Sequence, residues 1–183
     1  MKKSLLLLVV SVLLIGIAIW NNQDKSTSTV SNNGAPTKIG GQVGDLAPSI
    51  SLNVLGSELK PITVGGKQDK PIFVNFWASW CDPCKAEAPD LVKLHEKYKD
   101  KLLMVSINVT AHDTEEGAKE FVAAYGLTNP VLLDSRGQAF KAYNGIGFPT
   151  NVLLDKNGVI RQRYDGIRPP AELEQAIQQV IAE

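Results

Sequence analysis

The sequence predicts an α/β domain in which a central mixed β-sheet is flanked by helices. Three observations carry this. Residues 72–77 (IFVNFW) form a near-continuous apolar run rich in β-formers, as expected of a strand buried on both faces, and a helical pattern follows at 82–99. A second apolar run at 101–109 leads into helical spacing at 114–125 and another strand-like run at 129–134, an order that favours parallel pairing. Asp155-Lys156-Asn157-Gly158 joins runs at 151–154 and 159–164 as a hairpin turn, which adds antiparallel strands and makes the sheet mixed.

The chain has 183 residues, enough for one domain and a tail. It starts Met1-Lys2-Lys3, and residues 4–20 (SLLLLVVSVLLIGIAIW) are almost wholly apolar. As a helix this stretch spans about 26 Å, a little short of a bilayer core. It reads as a retained membrane anchor over 1–20 rather than a cleaved signal peptide. Only Gly16 and Ala18 approach a small-residue cleavage pattern, and Trp20 suits a membrane–water interface. The two lysines place the N-terminus in the cytoplasm and everything after Trp20 outside, giving a single-pass protein of the cell membrane. Residues 21–44 are rich in Ser, Thr, Asn and Gly without hydrophobic period and read as a flexible linker, so the folded domain is expected over 45–183. Formal net charge is zero; beyond residue 44 there are 15 basic and 18 acidic residues, which argues against a nucleic-acid binder.

Within the domain, the alternation Ser49-Ile50-Ser51-Leu52, a turn at Gly56 and a weaker extended run at 59–64 suggest an N-terminal β-hairpin. The central strand has one polar exception, Asn75. At its junction with the first helix stand Cys81 and Cys84, the only cysteines in the chain. A Cys-x-x-Cys at a helix N-terminus meets partial positive charge and unpaired N–H groups that stabilise a thiolate. Pro83 fits the first helical turn, where no N–H partner is needed. Cys81 is expected to be the more exposed sulfur, which attacks a disulfide, and Cys84 the buried sulfur that resolves the intermediate. A zinc site is disfavoured because the only other ligands of that kind, His95 and His112, are distant in sequence. A purely structural disulfide is disfavoured because so small a loop contributes little entropy.

The first helix carries an apolar stripe at Ala88, Leu91, Leu94 and Tyr98, with Lys97, Lys99 and Lys101 at its C-terminal end and Pro89 as an expected kink. Glu87 lies three residues after Cys84 on the same helix face, where a partly apolar setting would raise its pKa and let it exchange protons with a thiol. Gly126 ends the next helix, and a short helical stretch falls within 135–144. Pro169-Pro170 starts the last helix, whose stripe Leu173, Ala176, Ile177, Val180 and Ile181 packs on the sheet. His95 reads as a helix-boundary residue and His112 as a loop residue without a visible partner. Trp77 and Trp80 read as packing residues, Trp80 also adjoining Cys81.

The run FWASWCDPCK at 76–85 resembles the active site of the thioredoxin superfamily. Gly44-Asp45-x-Ala47-Pro48 followed by a hairpin further resembles the membrane-anchored, extracytoplasmic thiol-disulfide oxidoreductases of the TlpA/ResA/StoA type. The resemblance implies a thioredoxin-like fold with an N-terminal hairpin extension and a central strand/helix insertion. It implies that Phe148–Pro149 is a cis peptide facing the cysteines, with Phe148 offering backbone groups to a substrate strand. It also implies that Trp80 and Pro83 share in substrate binding and that Glu87 is an active-site acid. Thioredoxins carry a buried Asp where this chain has Asn75, so their proton route is absent here.

By the same resemblance, the function is reduction of protein disulfides without metal or organic cofactor. A membrane electron-donor protein of the CcdA/DsbD type recharges the dithiol, and the protein is a monomer. Relatives reduce apocytochrome c before haem attachment or support endospore cortex formation. A disulfide-forming oxidant of the same fold, a peroxiredoxin-like peroxidase and a tethered binding module remain as alternatives. The peroxidase is disfavoured because no proline precedes Cys81 in the peroxiredoxin pattern, and the binding module requires an incidental dithiol.

Overall fold

The computed structural model describes residues 38–57 and 60–182. The expected anchor over 1–20 and most of the expected linker lie outside them. Among the described residues no helix is long and apolar enough to cross a membrane.

Seven strands form one sheet: β1 (Ile50–Val54), β2 (Ile62–Val64), β3 (Ile72–Trp77), β4 (Leu103–Asn108), β5 (Val131–Leu133), β6 (Thr150–Leu154) and β7 (Ile160–Asp165). Their order is β2-β1-β5-β4-β3-β6-β7, with β3, β4 and β5 parallel and the remaining pairs antiparallel. The N-terminal hairpin forms as expected, Ile50 opposite Val64, and extends the sheet at its β5 edge. The described residues also form four α-helices, α1 (Asp82–Tyr98), α2 (Glu115–Tyr125), α3 (Gln138–Ala142) and α4 (Pro170–Ala182), and a short 3-10 turn at Thr110–His112.

The central strand is buried along its whole length, as its apolar composition requires. Side chains alternate between the sheet faces. Val74 and Phe76 join Val105, Ile107, Leu132 and Val152 under Ala139 and Tyr143, from α3 and the residue after it. Phe73 points the other way, with Met104 and Leu153, into a core closed by Leu91 and Leu94 of α1 and Leu173, Ile177 and Val180 of α4. A third cluster sits at the C-terminal end of β3, where Trp77 stacks on Phe121 of α2 at 4.3 Å and packs with Cys81, Cys84 and Ala88.

Helix ends follow from local chemistry. Thr114 caps α2 by accepting from Gly117 N at 3.0 Å, and Gly126 closes it with φ 66°, a backbone angle that costs glycine little. Helix α1 runs on through Pro89, which has no N–H to give to the preceding turn. The folded part starts earlier than residue 45. Gly40 N donates to Leu46 O, Leu46 N to Lys38 O and Gly44 N to Ile160 O, so 38–44 is tied to β7. The glycines that suggest a flexible linker in composition here make a turn, Gly44 taking φ 91°.

Candidate active site

Cys81 is the N-cap of α1. Its extended backbone (ψ 108°) turns Sγ back to accept from Cys84 N at 3.2 Å, with Pro83 in the first turn. Cys81 and Cys84 are joined in a disulfide with Cα atoms 5.3 Å apart. The expected contrast in their exposure is not found: Cys81 is 4% and Cys84 3% exposed. Both sulfurs sit in the apolar cluster with Trp77, Ala88 and Phe121, and the bond holds them at one depth. They differ in direction of access, because Cys81 lines a surface cleft and Cys84 does not.

The cleft has a volume of about 740 Å³. Trp80, Cys81, Asp82 and Pro83 form one side; Phe140, Ile146, Gly147 and Phe148 form the other, and His112 closes it. Trp80 is 59% exposed rather than packed, its ring edge-on to Phe148 at 5.8 Å and its Nε1 donating to His112 O at 2.8 Å. Ile146 stands 82% exposed in the same wall. The Phe148–Pro149 peptide is cis, the isomer that the resemblance implies. At the mouth, Asp82 pairs with Lys85 at 2.8 Å, and this hydrogen bond holds the Asp82 carboxyl below its ordinary pKa.

Two networks fix the walls. Asp113 accepts from Ser79 N (2.6 Å), Ser79 Oγ (2.7 Å), Asn108 Nδ2 (2.7 Å) and Thr114 N (2.8 Å), pinning the loop before Cys81 to the loop after β4. Burial opposes its charge, but the bonds from Ser79 and Asn108 outweigh that and keep its pKa low. On the other side, Arg163 of β7 donates to Tyr143 O (2.6 Å), Asn144 O (3.0 Å) and Gly41 O (3.1 Å). It thereby ties the residues before Ile146 to the N-terminal segment. Thr150 Oγ1 donates to Gly147 O at 2.8 Å. Gly145 is required there, since a Cβ would stand 2.1 Å from the Phe140 ring.

Behind the disulfide lies a buried polar cluster. Glu87 is 2% exposed. Its Oε1 accepts from Asn151 Nδ2 at 2.8 Å and its Oε2 from Asn75 Nδ2 at 3.3 Å. Burial pushes its pKa up to about 7, against hydrogen bonds from Asn151 and the Arg168 backbone that pull it down. A carboxyl group with that pKa, one helical turn from Cys84, can both take and give a proton near neutrality. A sulfur reachable from a cleft, a helix N-terminus to stabilise its thiolate and this acid suffice for thiol–disulfide exchange. Among the described residues no three of His, Cys, Asp or Glu are grouped as a metal site requires.

The structure thus brings Trp80, Cys81, Pro83 and Phe148 together around one cleft, with Pro149 next to Phe148, and places Glu87 behind it. Sequence reasoning missed Asn151, Asp113, Ile146 and the cleft-lining position of His112. Asn151 had a signal, a polar residue in the buried strand β6 just before its apolar run 152–154, but its partner across the sheet was not readable. His112 and Asp113 follow the C-terminal end of a parallel strand, where α/β sheets commonly place sites.

The family model described as Redoxin matches residues 42–179. Thioredoxin-like protein YneN of Bacillus subtilis is 33% identical over 151 residues, 82% of this chain and 82% of its own length. Thiol-disulfide oxidoreductase ResA of Bacillus thuringiensis subsp. konkukian is 36% identical over 110 residues, 60% of this chain and 62% of its own. The chain therefore matches about three-fifths of ResA's length. Among solved structures, a putative thiol:disulfide interchange protein DsbE from Chlorobium tepidum superposes with TM-score 0.67 at 30% identity, covering 75% of this chain and 96% of that one.

Proposed function

The chain belongs to the Redoxin family, and on that premise we propose that it is a thiol-disulfide oxidoreductase that reduces protein disulfides outside the cytoplasm from a membrane tether. The observation that carries this reading is the Cys81–Cys84 disulfide at the N-terminus of α1, with Cys81 facing the cleft and Glu87 behind Cys84.

In the reduced enzyme the Cys81 thiolate, stabilised by the helix N-terminus, attacks one sulfur of a substrate disulfide. A bond forms between Cys81 Sγ and that sulfur, and the other substrate sulfur leaves as a thiolate that takes up a proton. Glu87, as carboxylate, accepts the Cys84 proton. The Cys84 thiolate then attacks Cys81 Sγ, re-forming the enzyme disulfide and expelling the second substrate thiolate, which is protonated in turn. Two electrons pass from enzyme to substrate. Of the two protons the product thiols take up, one is balanced by the Cys84 proton released through Glu87. The other comes from solvent, which received the Cys81 proton when its thiolate formed. Trp80, Pro83 and Phe148 bind the apolar flank of the substrate segment, and Phe148 presents backbone groups beside Pro149.

The tether rests on Lys2-Lys3 followed by the apolar run 4–20. Each turnover leaves Cys81 and Cys84 as a disulfide and so needs a reductant, which we assign to a membrane electron-donor protein of the CcdA/DsbD type acting on a monomeric enzyme. The resemblance in sequence points to a role of the cytochrome c maturation or endospore cortex formation type. The test uses reduced full-length protein mixed with a disulfide-bonded protein. One substrate disulfide should open per enzyme oxidised, and Cys84→Ser should accumulate a mixed disulfide through Cys81. Failure of either result contradicts the reading. Spontaneous oxidation of substrate dithiols by the disulfide form would favour the disulfide-forming direction instead.

A further inference from the structure

We propose that Asn75 and Asn151 are positioning residues: a cross-strand amide pair that holds the Glu87 carboxyl between two N–H donors and sets when it exchanges the proton of Cys84. This rests on the reading of Glu87 above and deepens it.

The two asparagines are directly opposite each other in the antiparallel β3–β6 ladder, so their side chains share the sheet face that α1 covers. Asn75 Nδ2 donates to Asn151 Oδ1 at 2.8 Å and to Glu87 Oε2 at 3.3 Å, while Asn151 Nδ2 donates to Glu87 Oε1 at 2.8 Å. The three side chains close a ring in which each carboxylate oxygen receives one side-chain donor. Turning either amide over would set an oxygen against a carboxylate oxygen, so the chemistry fixes the orientation. Asn75 is 4%, Glu87 2% and Asn151 0% exposed. An amide buried in an apolar strand costs free energy unless it is bonded, and this pair is bonded to itself and to the acid.

The ring discriminates between protonation states. A carboxylate accepts both donors as charge-assisted bonds, whereas a protonated Glu87 keeps fewer and weaker acceptor sites, so the two N–H groups favour the charged form. Among the described residues no lysine or arginine side chain pairs with Glu87; the Asn151 amide and the Arg168 backbone N–H oppose burial, and the longer Asn75 bond at 3.3 Å stands beside them. The other groups around it are few. Cys84 and Asp90 share its helix, and Asp90 raises its pKa. Across β6–β7, Tyr164 stands opposite Asn151, with the Arg168 guanidinium 5.5 Å over its ring and Glu172 acting on it from α4.

The test is made on the full chain. Titration of the Glu87 carboxyl carbon by NMR is paired with the reduction potential of the cysteine couple as a function of pH. Asn75→Ala and Asn151→Ala should each lower the acid dissociation constant of Glu87 about tenfold or more, because each removes a hydrogen bond to a charged group. The break in the potential–pH curve should move up with it. Asn75→Asp keeps size but sets a second carboxyl beside the first, so the two should titrate as a coupled pair and the single break should become two. A Glu87 titration within about twofold of wild type in the alanine variants overturns the proposal. Should those fail to fold, a single unshifted break in Asn75→Asp overturns it. Glu87→Gln separates the two claims. A break at the pH of the Glu87 NMR titration, distinct from those of the thiols, that survives it sinks the reading of Glu87 itself, whereas one that it abolishes but the asparagine variants leave in place sinks only the amide pair.

Discussion

The two sides of the disulfide are built in opposite ways. On the outer side, Cys81 faces a cleft with exposed aromatic and aliphatic walls, Trp80 at 59% and Ile146 at 82% exposure, on loops tied down through Asp113 and Arg163. On the inner side, Cys84 backs onto a region that admits almost no solvent, where Glu87, Asn75 and Asn151 satisfy one another. The outer side suits recognition of many apolar segments, because dispersion and apolar burial are not directional. The inner side suits one task, moving a proton, because buried hydrogen bonds are directional and costly to leave unmade. On the proposed reading, the exposed side chains that meet substrate and the buried ones that move the proton are different residues and are separable by mutation.

The largest expected effect comes where the two sides meet. Cys81→Ser should abolish disulfide exchange altogether, and Cys84→Ser should stop it after one step, with a covalent enzyme–substrate complex visible by mass spectrometry. Equal loss without any complex in the Cys84 variant would break the assignment of attacking and resolving sulfur.

Next is the inner side. Glu87→Gln should slow turnover by about 100-fold near neutral pH, the low end for a positioned acid–base group, and remove the pH dependence centred on its pKa of about 7. The same variant has a stability signature of definite sign. A carboxyl whose folded pKa stands above its unfolded value binds protons more tightly when folded. Its contribution is complete below about pH 4.5 and is lost as pH rises to about 7. The loss is roughly 3 kcal/mol. Denaturant melts of the oxidised protein across pH 5–8 should lose this downward component in Glu87→Gln, leaving the opposite, rising contribution of His95, whose pKa burial holds low.

The outer side follows. Ile146→Ser and Trp80→Ala should each lower kcat/KM for a protein substrate by roughly tenfold, as for truncation of a side chain at the centre of an interface. The reduction potential and Tm should stay nearly unchanged. A shift in potential of the same size as the loss in kcat/KM would show that the two sides are not separable. The smallest effect on turnover is expected from Asp113→Ala. It removes the acceptor for Ser79, Asn108 and Thr114 and should destabilise the fold by about 1–3 kcal/mol in thermal or denaturant melts. Each sulfur should react nearly as before.

The sequence made these two sides legible to different degrees. The central strand, the helix after it, the terminal hairpin and the position of the cysteine pair follow from period and composition, which are local. Glu87 was reachable because three residues on a helix fix a shared face. Asn151 was not, because its role depends on facing Asn75 across the β3–β6 ladder, a pairing 76 residues distant in sequence that no local pattern encodes. The equal burial of Cys81 and Cys84 likewise depends on α2 and its Phe121, brought in from beyond β4. The anchoring of 38–44 depends on β7 in the same way. Ile146 gave no sign in sequence, since an isolated isoleucine in a glycine-rich loop acquires meaning only beside Phe148 and Cys81.

The central claim is that the dithiol reduces other proteins. It is tested most directly by the reduction potential of the Cys81–Cys84 couple in the full chain, equilibrated in thiol buffers at pH 7 and followed by Trp80 fluorescence. A reductase requires a potential near or below about −270 mV, in the range of thioredoxin. A potential near −120 mV, that of a strong disulfide donor, would contradict the claim and reverse the direction of electron flow.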